Sequence, residues 1–392
     1  MRNNLKINVN ILHVVSGLPS DGGGPSIVIP LTVLSENKHS GMSSLLLCLY
    51  SKNPPTCHKY PVTELVAKNF VCFLRSFTNF HFSPSLFITL LFANFDVLHI
   101  HGSFRMSTFL SAFACLIRRK RYVITPHGSL VRGHLIKNKL IKLAWWNLIE
   151  KYVYMFAHSV RLLSKLEFNE IPTHISGVFA NIRYIPNGID FSLISDSESK
   201  KIKQKYCASR IASGKIKFLF FSRLSSVKGI LELLAAWRIA SESDPCFNSN
   251  CSLDLIGPID DSISSEILAL IEGNNSVKYL GQVHGADRFE QLLRHDVFVL
   301  PTKGEGLSTA LLEAISSYCS VITTPMCNLS DKALTKNFYY CKPTTASICE
   351  ALLNLYSSFS IDEPIRFEQR EYVVAHYGWD NASYSLLQIY YD

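Results

Sequence analysis

At 392 residues and 47% hydrophobic content, the chain is long enough for two packed domains. Its 11 cysteines, an odd number scattered without a C-x-x-C pair, exclude a disulfide framework and a zinc ribbon and read as reduced thiols in a cytosol. The net charge of +8 is uneven: residues 1–190 carry 20 Lys+Arg against 8 Asp+Glu, whereas residues 191–392 carry 19 against 23. That asymmetry predicts two bodies with different partners, the basic one suited to an anionic surface.

The first apolar run, Ile7 to Val15, is interrupted by Asn8 and Asn10 and reads as a strand rather than a signal peptide. It leads into Gly22, Gly23 and Gly24, followed by Pro25 and Ser26. Three residues without Cβ atoms before a helix start make a turn in which backbone N–H groups can approach an anion. The pattern is neither G-x-G-x-x-G nor a P-loop, and a plain tight turn explains it equally well. The apolar stretch from Ser83 to Ile100 contains Asp96 and is too broken for a membrane span. DVLHIH (Asp96 to His101) reads as a buried strand closed by Gly102, with a helix from Met106 to Ile117. A second strand, Tyr122 to Thr125, runs into Pro126-His127-Gly128. Two strands ending in His-Gly at one sheet edge point to a site, because loops at strand ends carry function. Val131 to Ala157 reads as one long helix with Lys137, Lys139, Lys142 and Lys151 beside Trp145, Trp146, Tyr152 and Tyr154. This composition suits a membrane-surface helix or a core helix with a solvated Lys face.

RYIPNGID (Arg183 to Asp190) joins a strand to a turn, and the domain boundary is expected just beyond it. Ile216 to Phe221 reads as a strand, followed by Arg223, Lys228, Gly229 and a helix from Ile230 to about Ala240. Two cations at a helix start can meet a diphosphate there. Strands at Ser252–Gly257 and Val277–Val283 are separated by a helix near Ile263 to Ile271. A helix from Ala286 to His295 precedes DVFVLPTKGEGLSTALLEA (Asp296 to Ala314). That stretch predicts a buried strand, a loop from Thr302 to Gly306 carrying Glu305, and a helix from about Ser308 carrying Glu313. Two carboxylates beside a helix N-terminus can hold sugar or ribose hydroxyls, which both donate and accept. A further strand, Ser320 to Thr324, and terminal helices from Arg366 to Tyr391 complete an alternating pattern that implies a second parallel α/β sheet.

With these pieces in order, the chain resembles the family 4 glycosyltransferases over nearly its whole length. The carriers are GGGPS, HIHG, TPHGSL, IPNGID, FSRLSSVKG and EGLSTALLEA. The resemblance implies an α/β GT-B fold of two Rossmann-like doubly wound domains facing across a cleft. Residues 1–192 would bind the acceptor, 193–370 the nucleotide-sugar, and 371–392 would form a C-terminal helix returning to the first domain. It implies retaining transfer of a sugar from a nucleotide diphosphate donor. Gly22, Gly23 and Gly24 would lie over the donor diphosphate, and Arg223 and Lys228 would neutralise it as it leaves. Glu305, with Gly306, Leu307 and Ser308, would contact the donor sugar, Glu313 the ribose hydroxyls and His127 the sugar. His101 and Arg105 would lie on the acceptor side. Where the family commonly has Gly-x-Pro after the helix, this chain reads Tyr318-Cys319-Ser320.

Fixed cations can stabilise the leaving group without a metal, and no D-x-D pair occurs in the chain, so neither metal nor cofactor is expected. Front-face attack would let the departing phosphate oxygen take the acceptor proton. The leading expectation is a cytoplasmic enzyme, peripheral on the inner face of the plasma membrane, acting on a lipid-linked or other saccharide acceptor in bacterial surface polysaccharide assembly. A nucleotide-sugar 2-epimerase and a non-catalytic sugar-nucleotide-binding subunit are the alternatives. Nucleic-acid partners are not expected, since the motifs for them are missing.

Overall fold

The computed structural model describes residues 9–18, 24–39, 41–50, 62–76, 82–136, 138–272, 274–283, 285–335, 338–359 and 367–392. The chain divides into two compact units, Met1–Gly188 with Trp379–Asp392, and Ile189–Gly378. The crossings fall at Gly188 and Gly378 rather than at 192 and 370. Gly188 explains the first: a Cβ there would collide with the Trp379 indole, so the chain can pass Trp379 at this point only as glycine. Ile189 N donates to the Tyr377 carbonyl at 2.8 Å, which keeps the helix Phe367–Tyr377 with the second unit.

The first unit holds seven strands: β1 Val9–Val15, β2 Met42–Tyr50, β3 Val71–Arg75, β4 Val97–His101, β5 Arg121–Thr125, β6 Ser159–Leu162 and β7 Ile182–Tyr184. All recorded pairings are parallel, in the order β3-β2-β1-β4-β5-β6-β7. The second unit holds β8 Ile216–Phe221, β9 Cys251–Ile256, β10 Val277–Tyr279, β11 Val297–Leu300, β12 Ser320–Thr323 and β13 Phe338–Tyr340, in the order β10-β9-β8-β11-β12-β13. Both are doubly wound sheets whose order reverses beside the first strand, at β1/β4 and at β8/β11, the place where such sheets take ligands. Helices cover the sheets, which is why β4 (VLHIH) and β11 (VFVL) are buried along their whole length.

The pleat divides the centre of the first sheet into two faces. Leu12, Val14, Leu98, Ile100 and Ile124 enter one core. Val9, Ile11, Val97 and Val123 enter another, with Leu386, Ile389 and Tyr390 of the helix Trp379–Tyr391. His13, His99 and His101 are buried at 0%, 0% and 3% exposure.

The long helix expected over Val131–Ala157 is instead broken. It comprises Arg132–Leu135, Lys139–Trp145, a π-helical turn Trp146–Glu150, and Lys151–Met155. The wide turn lets Glu150 point inward, where it accepts from Phe104 N at 2.9 Å and Trp145 Nε1 at 2.8 Å. Of the four aromatics expected on its surface, Trp146 and Tyr154 are buried, Trp145 is partly buried and Tyr152 is 45% exposed, while Leu140, Ile141 and Leu148 are 80%, 65% and 73% exposed. Lys137 lies outside the described residues. Among the described residues no helix is long and apolar enough to cross a membrane.

Candidate active site

In the second unit, the loops after β8 and β11 are stitched together. Lys303 N donates to Val227 O at 2.8 Å, and the Thr302 hydroxyl donates to the same carbonyl at 3.3 Å. Gly229 (φ 72°) enters the helix Ile230–Ser243 in the left-handed region, where a Cβ would collide with the Pro301 carbonyl. These contacts bring Lys228 to Glu305, and the two form an ion pair with side chains 18% and 15% exposed. The pair also answers the mismatch of a cation before a helix N-terminus, because Glu305 offsets the charge of Lys228. Lys303 pairs with Glu232 in the first turn of the same helix at 2.6 Å.

Arg223 follows the end of β8 by two residues and is partly buried. Its loop is fixed from the side of β9: Leu224 N donates to Pro258 O at 2.9 Å, and Asp260 N donates back to Leu224 O at 3.0 Å. Gly257 (φ 138°) packs so closely on the Ser222 carbonyl that a Cβ has no room.

Ser308 caps the helix Thr309–Ser316, its hydroxyl accepting from Leu311 N at 3.3 Å. Gly306 and Leu307 are buried in the loop before it. Asn328 donates its side-chain amide to the Glu305 carbonyl, bracing the loop from beyond β12. Glu313 stands one turn into the helix, 12% exposed, with Oε2 held by Arg288 at 2.5 Å. Burial raises its pKa, and Arg288 opposes that shift. Arg288 also lies over the ring of Phe221, 5.4 Å from its centroid, so Glu313 is tied to the end of β8. The two predicted acids therefore each have their own cation. Sequence reasoning missed Arg288; a basic residue in the first turn of the helix Ala286–Leu293, where the dipole disfavours it, was the available signal.

The departure at Tyr318-Cys319-Ser320 is accommodated locally. Tyr318 adopts φ 64°, the left-handed conformation that glycine takes after a helix, and its ring packs edge-on against Phe367 at 5.3 Å.

In the first unit, the Gly loop falls largely outside the described residues, which include neither Gly22 nor Gly23. Gly24 opens the helix Gly24–Glu36, and an added Cβ there would meet nothing within 4 Å, so close packing does not require a glycine. Arg105 is exposed at the start of the helix Met106–Arg118. His101 ends β4, and His127 follows β5 in the left-handed region (φ 51°). They meet through His101 Nδ1 and His127 Nε2 at 2.9 Å. Gly128 N donates to buried Glu167 at 3.0 Å, fixing the turn that carries His127.

Behind them stands a group that the sequence reading did not identify. His13 Nδ1 meets His101 Nε2 at 2.9 Å, and His13 Nε2 meets Glu36 Oε2 at 2.8 Å. Tyr390 donates to Glu36 Oε1 at 2.8 Å and Ser44 to Oε2 at 2.5 Å. His99 joins Tyr390 at 2.7 Å and the Thr125 hydroxyl at 2.7 Å. The coordinating atoms of His13, His99 and His101 lie within 4.8 Å of one another, a spacing that also suits a metal. Both nitrogens of each of these rings are already engaged by protein groups, so the arrangement is a hydrogen-bonded chain rather than a ligand set. Its signal in the sequence was the pair of histidines at alternate positions of an otherwise apolar strand, since buried imidazoles need partners.

Two doubly wound parallel sheets in one chain, with charged side chains gathered at the carboxyl edge of the second, are the architecture of the GT-B fold. The sequence profile described as "Glycosyltransferase Family 4" matches residues 44–193, and that of "Glycosyl transferases group 1" matches residues 215–358. The chain belongs to the family 4 glycosyltransferases. It is 26% identical over 319 residues to an uncharacterised 41.2 kDa protein in the cps region of Klebsiella pneumoniae, covering 78% of each chain. Among solved structures it is similar to the sucrose-phosphate synthase of Thermosynechococcus elongatus, with a TM-score of 0.72, 17% identity and 98% of both chains covered. It is also similar to Anabaena HepE in complex with UDP and glucose, with a TM-score of 0.69, 17% identity, and 97% of this chain and 99% of that one covered.

Proposed function

We propose that this glycosyltransferase transfers a sugar, with retention, from a nucleoside-diphosphate-sugar to a lipid-linked saccharide in bacterial surface polysaccharide assembly. The observation that carries the proposal is the fixed edge at β8 and β11, where Arg223 and the Lys228–Glu305 pair stand on the loops after these strands and Glu313 on the helix that follows β11. In this reading Arg223 and Lys228 meet the diphosphate at the N-terminus of the helix Ile230–Ser243, and Glu305 contacts the donor sugar. Glu313, oriented by Arg288, accepts from the ribose hydroxyls. Fixed cations take the place of a metal, and the departing phosphate takes the acceptor proton. The UDP complex of HepE supports a nucleotide-sugar donor, and the cps-region relative supports a polysaccharide pathway.

A thermal-shift screen of nucleotide-sugars, followed by transfer assays in the presence of EDTA, tests this directly. At least one nucleotide-sugar is expected to stabilise the protein and to be turned over with chelator present. Glu313→Ala is expected to weaken binding of that donor about tenfold to a hundredfold, the worth of a charge-assisted hydrogen bond. Equal donor affinity in the variant, measured by calorimetry, removes the ribose role.

The membrane part of the proposal rests on the broken helix, in which exposed Leu140 and Ile141 lie between Lys139 and Lys142 and Leu148 is exposed further along. Apolar side chains that enter an interface beside lysines suit an anionic bilayer. Reversing both charges (Lys139→Glu with Lys142→Glu) should lower sedimentation with phosphatidylglycerol vesicles by at least about tenfold. Undiminished sedimentation assigns that face elsewhere.

A further inference from the structure

Helices that cover a parallel sheet ordinarily bury one side and turn charged side chains to the solvent. Two helices of the first unit do not. Pro84–Phe92 (PSLFITLLF) carries no charged residue, and Met106–Arg118 (MSTFLSAFACLIR) carries one, at its last position. Their inner sides are accounted for: Leu86 and Leu90 of the first, with Ala112 and Cys115 of the second, enter the core that holds Leu98 and Ile100 of β4. Phe87 stacks on Phe113 with ring centroids 5.9 Å apart, which joins the two helices side by side. Their outer sides are apolar as well. Ile88 and Phe92 are 56% and 83% exposed, and Leu116 and Ile117 are 45% and 53% exposed.

Charge is segregated around this face. Between Glu64 and Glu150 the chain has 11 Lys and Arg and one acidic residue, Asp96. Four of those cations, Arg118 to Arg121, follow Ile117 directly. Arg118 is used internally: its Nη1 donates to the Leu90 carbonyl at 2.8 Å and to the Ala93 carbonyl at 2.7 Å, which pins the end of the helix Pro84–Phe92 beside the basic run. Arg121 donates to the Tyr391 carbonyl at 3.2 Å. Arg119 ends the second helix in the left-handed region (φ 53°), is exposed, and its side chain has no partner among the described residues.

We propose that the outer face of these two helices is a docking surface for an anionic bilayer, with Phe92, Leu116 and Ile117 entering the interface and Arg119 at the level of the headgroups. This rests on the reading above that the protein works at a membrane, and adds a surface on two helices which that reading does not use. The apolar side chains gain by leaving water, and an unopposed cation gains from lipid phosphates. Neither helix spans: 9 and 13 residues fall short of the roughly 20 that a hydrocarbon core requires. A second copy of the chain is the poorer occupant. A two-fold contact on this face would bring the basic run toward its own symmetry mate, and the one acid of the stretch, Asp96, already accepts from Asn10 N at 2.9 Å.

Sedimentation of the full chain with phosphatidylglycerol vesicles tests the proposal. Phe92→Ser with Ile117→Ser, both at exposed positions, should lower the partition coefficient at least about tenfold. Arg119→Asn, a residue that suits the left-handed backbone, should lower it about fivefold and leave binding to phosphatidylcholine vesicles unchanged. Phe92→Trp gives a gain of signal: brominated phosphatidylglycerol should quench its fluorescence more than that of the wild-type protein. Wild-type binding that Lys139→Glu with Lys142→Glu weakens, and that Phe92→Ser with Ile117→Ser leaves intact, overturns this surface and keeps the membrane reading. No wild-type binding to phosphatidylglycerol vesicles overturns both. A dimer in the absence of vesicles that the Phe92→Ser, Ile117→Ser variant dissociates in sedimentation velocity assigns the face to a second copy, and also overturns the proposal.

Discussion

Replacing Arg223 with alanine is expected to lower turnover about a hundredfold to a thousandfold, the usual effect of removing one fixed charge-stabilising donor. Donor affinity is expected to change much less. The asymmetry follows from when the charge appears. A bound nucleotide-sugar already carries its diphosphate charge, but bond breaking adds negative charge at the leaving oxygen, and only a cation already in place stabilises it without reorganisation. Arg223 meets that condition because its loop is fixed between Gly257, which admits no side chain, and the reciprocal bonds of Leu224 with Pro258 and Asp260. Arg223→Lys keeps the charge and loses the planar fork, and should recover part of the rate. Steady-state kinetics with the donor found in the screen are the check. A variant that loses affinity and keeps its kcat would place Arg223 in ground-state binding alone.

The second large effect is a steep acid edge in stability. His99 and His101 are held well below 6.5, each first by burial, so the folded state keeps them neutral while the unfolded chain protonates them. Their contribution is fully present above about pH 6.5 and is lost as pH falls, at about 1.4 kcal/mol per pH unit for each ring. Buried Glu150 and Glu167 act in the opposite direction. Burial pushes both up to about 7, so their contribution is present below 4.5 and is lost as pH rises through 7. Between 4.5 and 6.5 His127, which burial and Arg161 bring down to about 3, joins the other two rings, so three rings outweigh two carboxyls and stability rises with pH by about 1.4 kcal/mol per unit. Below 4.5 the carboxyls contribute no further slope, and Glu36, whose lowered pKa makes it destabilising to protonate, adds to the loss. Urea midpoints should therefore rise gently from pH 4.5 to 6.5 and fall sharply below 4.5. Converting Glu150 and Glu167 to glutamine should steepen the rise between 4.5 and 6.5. A wild-type midpoint that holds steady down to pH 3 would mean that the histidines are not buried as neutral rings.

The sequence by itself determined the class of fold and which charged residues follow the strand ends of the second sheet. Apolar runs such as VFVL, and punctuation such as KG and EG, are local signals, and in a parallel α/β sheet the strand end, the loop and the helix start are adjacent in sequence as well as in space. Arg223, Lys228, Glu305 and Glu313 could therefore be named before any coordinates. Only the tertiary structure decided which charges meet. Arg288 reaches Glu313, and Glu305 reaches Lys228, across strand orders that the sequence does not spell out. The same holds for the turn at Trp146–Glu150, where the inward demand of one carboxylate overrides an unbroken helical pattern. It holds most of all for the histidine chain, assembled from β1, β4, the end of one helix and a tyrosine 354 residues away from Glu36. Period and composition report what a residue is buried beside along its own element; a buried polar group is satisfied by whatever the topology brings across the sheet, and that is set by the packing of the whole unit.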